Sequence, residues 1–463
     1  MEVSLPISAG VKTGNHNNGR KPATISPGGL ASAAANSITL PLSFILTGLL
    51  ALFAGVIWLL AQPEILTAYH YNANAVAITH LFALGWLCSI VMGAMYQLVP
   101  VALETKLFSE RLAKIQFIFH AVGFIGMVLA FRGWNMKWVG LFGSIFAAGV
   151  CLFIYNVSRT LLRIPKWNTV AISVGSAISW ILLTVTAGLF IVAAKTGHAN
   201  FMFRFNPIGA MHAHAHLGAL GFFTMLIVGV SYKLIPMFTL SEIQNPKRAL
   251  TSVILLDGGI AGAFICILFQ STLKPLFACI VVVALTVYGA EMLAILRARK
   301  RRALDWGVTY FLTAISLLAP LSILALVLSW PKLPLNPFTG QLENAYGFIA
   351  FVGFISFAVI GMLYKIIPFL VWFGTYSKHI GRAQVPALAE MYSEKLQMTG
   401  YWIFIAALAV TVSGILFSNA IAARTGCVLF AASLSTLAFN AAEILSHWFR
   451  PQLKAMPVIV RKS

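Results

Sequence analysis

Twelve runs of mostly apolar residues are the feature that most restricts the fold of this chain. A helix needs about 20 apolar residues to cross the ~30 Å hydrocarbon core of a bilayer, where only helices and closed barrels satisfy every backbone group. Charged residues make up only 10% of the 463 residues, against roughly 25% in soluble domains. The runs cover approximately residues 40–61, 76–100, 113–131, 138–158, 169–194, 208–238, 250–271, 275–296, 306–330, 345–374, 398–417 and 426–449. We therefore predict an all-α integral membrane protein of twelve transmembrane helices (spans 1 to 12), which is embedded in a lipid bilayer.

The charged residues predict the topology of these spans. With the N-terminus placed in the cytoplasm, the inner segments hold 23 of the 32 Lys and Arg residues and the outer loops hold 7. This positive-inside pattern indicates a multi-pass protein of a bacterial-type inner membrane with both termini cytoplasmic. It also explains the net charge of +20, so we expect no nucleic-acid partner. Residues 1–39 are polar and lack an early apolar core, which predicts a disordered cytoplasmic tail rather than a signal peptide. Residues 450–463 form a predicted basic cytoplasmic tail, which leaves 40–449 as the transmembrane domain.

One motif occurs three times along the chain. It reads HLFALGWLCSIVMGAMYQLVP at 80–100, HLGALGFFTMLIVGVSYKLIP at 216–236 and FIAFVGFISFAVIGMLYKIIP at 348–368. The shared residues are Gly93, Gly229 and Gly361, then Tyr96, Tyr232 and Tyr364, then Pro100, Pro236 and Pro368. Because the copies are spans 2, 6 and 10, the period is four helices, which predicts three pseudo-equivalent four-helix arcs. We expect the Gly to admit a neighbouring helix, the Tyr hydroxyl to lie at the membrane interface and the Pro to end the helix.

Four histidines stand at or just before the start of this motif. The first repeat position holds His80 and His216, whereas the third copy has Phe348 there. On a helix His212 and His216 share a face, and His214 lies on the other side. Neutral imidazole ligates haem iron and copper, and ionisable groups inside a membrane are usually functional. His80 with His214 or His216 is therefore a candidate haem pair, and His212 with His216 a candidate copper chelate. The structural alternative is that these rings cap a helix end or bond outer-loop carbonyl groups.

The motifs around these histidines resemble a known family. "HAHLGALGF" followed by "GVSYKLIP" resembles the metal-binding helix of haem-copper oxidase subunit I, in the branch of C-type oxidases and nitric oxide reductases. "MGAMYQLVP" after His80 resembles the second helix of the nitric oxide reductases, whose histidine ligates a low-spin haem b. The resemblance covers most of 40–449 and implies the twelve-helix, three-arc fold of that subunit. It also implies haem, with copper as a further cofactor, and a quinol or a separate cytochrome as electron donor.

The chain departs from the family where the family's active site would be. The family uses a histidine on the sixth helix, usually a pair on the seventh, and a His-x-His on the tenth. Here span 7 has no histidine, span 10 has Phe348, and the His-x-His lies on span 6. We therefore predict a single haem b between spans 2 and 6 and a degenerate binuclear site, acting in electron transfer or in binding nitric oxide or oxygen. His120 on span 3 is the one other candidate ligand.

Two other functions remain open from the sequence, and the oligomeric state is not determined by it. One is an active respiratory terminal oxidase or nitric oxide reductase with relocated ligands. The other is a copper or haem transporter, with His212 and His216 as its outer binding groups. Whether the protein is an enzyme is thus left open.

Charged residues near the inner ends of the spans form a second set of candidates. They are Lys233, Asp257, Glu291, Lys365 and Glu443. Such groups can carry protons through a membrane protein. They can equally pair with each other, and lysines can extend to the interface. Asp257, inside span 7, is the least easily explained of them.

Overall fold

The computed structural model describes residues 38–199 and 205–454. Within these residues twelve helices are long and apolar enough to cross a membrane, which confirms the predicted all-α, multi-pass fold. Spans 1 to 12 are Thr39–Ala61, Ala73–Ala102, Glu110–Arg132, Met136–Leu161, Thr169–Lys195, Pro207–Thr239, Pro246–Leu268, Lys274–Arg297, Trp306–Leu328, Pro337–His379, Glu394–Leu416 and Ala420–Phe449. Most of the two predicted tails, 1–37 and 455–463, lies outside the described residues.

Short polar side chains determine where most spans begin. Ten of the twelve described spans start after an Asn, Ser or Asp whose side chain accepts a backbone N–H of the first turn. Such caps satisfy N–H groups that have no partner inside the helix, which matters most close to lipid. Asn206 is typical, because its Oδ1 accepts from Ile208 at 2.9 Å and from Gly209 at 3.1 Å, directly before the histidines.

The three spans that carry the repeat are the most buried of the twelve. All three run in the same direction, so their first repeat residues lie at one end of the bundle. We name this end, where the even-numbered spans begin, the histidine end, and the opposite end the basic end, after Arg297–Arg302. The centre of the molecule is thus formed by spans 2, 6 and 10.

Each of these three spans contains a wide π-helical turn at the same place. The turns are Leu81–Cys88, Leu217–Thr224 and Ile349–Ser356. Each begins at the residue after the first residue of the repeat. The Thr224 and Ser356 hydroxyls donate to carbonyl oxygens five residues earlier, at 2.8 and 2.7 Å. The sequence did not predict these turns, which are rare and often lie at functional sites, and their recurrence supports the equivalence of the three arcs.

The repeated glycines confirm the prediction of close helix approach. A Cβ on Gly93 would lie 2.5 Å from the Cβ of Phe44 on span 1, and one on Gly361 would lie 2.6 Å from the carbonyl oxygen of Gly307 on span 9. A Cβ on Gly229 would collide with Ser173 on span 5. The central span of each arc therefore packs against the first span of its own arc through a position that admits only glycine.

The prediction for the repeated tyrosines is wrong. Their hydroxyls are buried inside the bundle rather than at an interface, and each bonds a later span of its own arc. Tyr96 donates to Gln116 at 3.2 Å, and Tyr232 bonds Ser252 at 2.7 Å. Tyr364 accepts from the Asn440 side chain at 3.4 Å. The neighbouring spans offer polar partners at this depth, so the hydroxyl can be satisfied without water.

The repeated prolines do not end their helices, contrary to expectation. Pro100, Pro236 and Pro368 lie inside helical segments that continue to Ala102, Thr239 and Tyr376. A proline lacks the N–H donor and its ring crowds the carbonyl four residues earlier, but later residues can still bond to earlier carbonyls. Span 10 continues furthest because Leu370, Val371 and Tyr376 after its proline are fully buried against neighbouring spans.

Candidate functional site

His80 and His214 face each other across the gap between spans 2 and 6. Their ring centroids are 6.4 Å apart and the ring planes differ by 15°. Two imidazoles that share one metal on a common axis, with N–metal bonds of about 2.0–2.1 Å, have ring centres about 6 Å apart. The structure therefore brings together one of the two predicted pairs, and its partner on span 6 is His214 rather than His216.

In both rings one nitrogen is already used by the protein. His80 Nδ1 lies 2.8 Å from the carbonyl oxygen of Val76, and His214 Nδ1 lies 2.9 Å from that of Thr184 on span 5. A carbonyl oxygen can only accept, so Nδ1 carries a proton, and in the neutral ring Nε2 then keeps its lone pair. A histidine that ligates a metal usually has this second hydrogen bond, which fixes the ring and its tautomer.

The walls around this pair leave space for a flat ligand. All four histidines of the sequence prediction line one cavity of about 1200 Å³ at the histidine end, together with mainly apolar residues of spans 1 to 11. A Cβ on Gly188 would come within 3.0 Å of the His214 ring, so glycine there keeps the ring in position. Phe131 packs at 4.4 Å, centroid to centroid, against His80. The donor chemistry and the space both fit a haem.

The same geometry recurs one arc further on with different residues. His216 occupies the position of His80, and its Nδ1 bonds the carbonyl oxygen of His212 at 2.7 Å, again four residues earlier. Opposite it, at the position equivalent to His214, stands Tyr346 of span 10, with ring centroids 5.9 Å apart and planes differing by 24°. We call the contacts between arcs 1 and 2, arcs 2 and 3, and arcs 3 and 1 the first, second and third interfaces. At the third interface the equivalent positions hold Phe348 and Ile78.

Aromatic rings fill the third arc. Phe348 packs on Phe430 at 5.9 Å between centroids, Phe430 on Phe404 at 4.9 Å, and Phe404 on Phe357 at 4.5 Å. The three interfaces therefore present a His–His pair, a His–Tyr pair and an apolar pair in turn.

His212, the first histidine of span 6, has a different partner. Its Nε2 lies 3.0 Å from Nε2 of His70, in the loop before span 2. His212 and His216 share one face of span 6, as predicted, but their rings are directed at different neighbours, His70 and Tyr346. Glu343 at the start of span 10 completes the group, with Oε2 3.8 Å from His70 Nε2. Burial lowers the pKa of His70, which favours the neutral ring, although its hydrogen bond to Asn344 acts in the opposite direction.

His120 is separate from these groups. It is buried on span 3, where its Nε2 bonds the Ser89 hydroxyl at 2.7 Å, and its Nδ1 has no hydrogen-bond partner among the described residues. It does not line the large cavity.

The predicted charged residues near the basic end each have their own surroundings. Glu291 is fully buried and binds Arg248 at 2.6 Å, while accepting the backbone N–H groups of Gln244 and Asn245. This carboxylate ties the loop after span 6 to span 8. Lys365 pairs with Asp305 at 2.5 Å.

The other three predicted charges are a half-buried acceptor and two exposed side chains. Asp257 accepts from the Ser176 hydroxyl and from the Trp180 indole N–H, the latter at 2.7 Å, and so links span 7 to span 5. Lys233 and Glu443 are exposed. Proton movement through these five residues stays a prediction.

Sequence reasoning missed His70, Glu343, Tyr346 and the Thr184 carbonyl. His70 and His212 are 142 residues apart, and no spacing rule connects them. The repeat could have indicated Tyr346, because Tyr346 lies two residues before Phe348, just as His214 lies two residues before His216. The sequence does not show, however, that the first residue of each repeat faces this position in the next arc.

Comparison with known proteins supports the fold. No family model matches the chain, and no curated protein matches it. Among solved structures, the chain is similar to a haem-copper terminal oxidase determined as a dimer by cryo-electron microscopy. The TM-score is 0.69 at 11% sequence identity, and the match covers 91% of this chain and 86% of that chain. At so low an identity the likeness establishes architecture and not activity. The chain therefore has the fold of haem-copper oxidase subunit I.

Proposed function

We propose that this protein is a membrane-bound b-type haem protein in which His80 and His214 supply the two axial ligands of one haem, and that it acts in electron transfer. The observation that carries the proposal is the geometry of this pair, with ring centroids 6.4 Å apart, planes within 15°, and both Nδ1 atoms bonded to carbonyl oxygens. A bacterial-type inner membrane, with a quinol or a cytochrome as electron donor, is part of the proposal.

Electron transfer rather than gas binding follows from the number of ligands. Two imidazole ligands would leave no position on the iron open for nitric oxide or oxygen. When bound, haem supplies a one-electron iron couple, whose potential depends on axial ligands and burial. The residues of this chain anchor both rings through Nδ1 and surround the site with mainly apolar walls.

The test is haem content after expression with sufficient haem. Purified protein is expected to show a b-type absorption spectrum, with about one low-spin haem per chain by pyridine haemochrome and paramagnetic resonance. His80→Ala and His214→Ala should each abolish the low-spin signal. His198→Asn, an exposed histidine of the same end of the bundle, should leave it unchanged. Wild-type protein without a haem spectrum would end the proposal.

Gas binding is a second candidate function, favoured by the His216–Tyr346 pair. Here one imidazole with a free Nε2 lines the same cavity, and a phenol stands where the second imidazole would be. A haem on His216 alone would leave one axial position for nitric oxide or oxygen. A carbon monoxide difference spectrum that is lost in His216→Ala but kept in His214→Ala would support this function.

An active oxidase or nitric oxide reductase with relocated ligands would need a high-spin haem and a second metal. One low-spin haem without copper or non-haem iron would exclude that alternative. Transport of copper or haem is tested by uptake into cells that lack the gene. Many transporters have helices that unwind in mid-span at equivalent positions of their repeats. In the described residues, spans 2, 6 and 10 instead stay helical through their wide turns.

A further inference from the structure

Three metal-ligating side chains meet at the histidine end, outside the proposed haem pair. One ring nitrogen of His70, one of His212 and a carboxylate oxygen of Glu343 all lie within 4.8 Å of one another, and the two Nε2 atoms are 3.0 Å apart. No spacing in the sequence connects them, because one comes from the loop before span 2, one from span 6 and one from span 10. They therefore represent all three arcs of the bundle.

A network of hydrogen bonds prepares His70 as a ligand. The Asn344 amide nitrogen donates to the carbonyl oxygen of Ala68 at 2.8 Å and to Gln341 Oε1 at 3.0 Å. Its oxygen is thereby turned toward His70 Nδ1, at 2.9 Å. Since this oxygen can only accept, Nδ1 carries the proton, and Nε2 of the neutral ring presents its lone pair to the other two groups. A ligating histidine commonly has such a bond on its other nitrogen.

The carboxylate of Glu343 forms no ion pair with a Lys or Arg among the described residues, although Lys274 at the start of span 8 lines the same cavity and acts on it from a longer distance. Its side chain is 30% exposed, at the start of an apolar helix, and within the described residues its one ion-pair contact is with His70. A distance of 3.8 Å is too long for a hydrogen bond. A carboxylate in such a position is normally paired with a positive charge. A metal ion between the three groups would place a positive charge in direct contact with the carboxylate, which no Lys or Arg of the described residues does.

We propose that His70, His212 and Glu343 bind one divalent transition-metal ion of the zinc or copper(II) class. Two imidazole nitrogens and one carboxylate oxygen suit either ion and leave a fourth position open. The ion would link the three arcs at the entrance of the large cavity. This site does not depend on the proposed haem, because neither His80 nor His214 belongs to it.

The experiment measures metal bound to the full-length protein purified without a polyhistidine tag. The protein is stripped with a chelator, incubated with Zn²⁺ alone or Cu²⁺ alone, desalted and analysed for metal. Wild-type protein should retain about one equivalent of one of the ions, and Glu343→Gln and His70→Asn should each weaken binding by at least about tenfold. Exposed His198 is the matched control, and His198→Asn should bind like wild type.

A second measurement covers the case in which a variant folds poorly. Glu343→Gln preserves side-chain shape, so its melting temperature without metal should match wild type, while the rise on adding metal should disappear. Wild-type protein that retains no more Zn²⁺ or Cu²⁺ than the double variant Glu343→Gln/His70→Asn would overturn the proposal. An equal loss in His198→Asn would overturn it as well. Haem absorbance recorded on the same samples separates this result from the proposed function, since Glu343→Gln should retain its haem.

Discussion

Single hydrogen bonds determine what the histidines of this protein can do. At the first repeat position, His80 and His216 each bond through Nδ1 to a carbonyl oxygen four residues earlier. His214 bonds instead to Thr184 on a neighbouring span. In each case Nδ1 is the hydrogen-bonded nitrogen, so Nε2 of the neutral ring is the atom able to bind a metal, and all three rings line the cavity.

Asp257 illustrates a residue whose role depends on its hydrogen bonds rather than on its charge. We predict that Asp257→Asn keeps near wild-type thermal stability and haem content, because an amide oxygen can still accept from Ser176 and Trp180. Asp257→Ala should lower the free energy of unfolding by about 1–3 kcal/mol, since the indole N–H then loses its partner. Thermal unfolding in detergent compares the two variants. Equal destabilisation by Asn and Ala would show that the charge itself is required.

Among the elements, the central span of each arc is positioned by its repeated glycine. The close approach brings spans 2, 6 and 10 into the same relation to spans 1, 5 and 9. That relation fixes the depth at which the first residue of each repeat lies. The histidine pairs thus depend on helix packing some three turns away from them.

We predict that Gly361→Ala destabilises the protein by about 1–3 kcal/mol, because the new methyl group would lie 2.6 Å from the Gly307 carbonyl oxygen. Gly258, on span 7, is the matched control, since a Cβ there meets nothing within 4 Å. Gly258→Ala should be neutral or stabilise the helix by up to about 1 kcal/mol. Melting temperatures in one detergent test both, and similar values for the two variants would contradict the packing argument.

The whole molecule repeats one four-helix arrangement three times, and the three interfaces between arcs carry different side chains at equivalent positions. The first interface offers two imidazoles, the second an imidazole and a phenol, and the third only apolar side chains. The shared π-helical turns and the shared anchoring of His80 and His216 indicate that the backbone would accept a histidine pair at the second interface too.

This equivalence gives a prediction for Tyr346→His. The substitution should create a second histidine pair and raise the low-spin haem content from about one to about two per chain, measured by pyridine haemochrome and paramagnetic resonance. Phe348→His is the control, because its opposite position holds Ile78 and one imidazole alone completes no pair. Unchanged low-spin haem in Tyr346→His would show that the two interfaces differ in geometry.

Much of the fold followed from the sequence, and much of the site did not. Twelve spans and the three-arc repeat are readable because hydrocarbon imposes length and apolarity on every helix, and because a repeat preserves register. The depth of His80 relative to span 6 followed from the same register. The repeated tyrosines and prolines were misread because their roles depend on which spans they meet, and single helices do not show that.

The number of spans, their relative directions and the positions of the histidines along them can all be read from the chain. That His80 faces His214, that His216 faces Tyr346 and that His212 meets His70 and Glu343 became visible only in the packed bundle. Helix length and polarity are local properties of the chain. Which side chains share a cavity depends instead on the rotation and close packing of helices far apart in sequence, and on the wide turns that adjust that rotation.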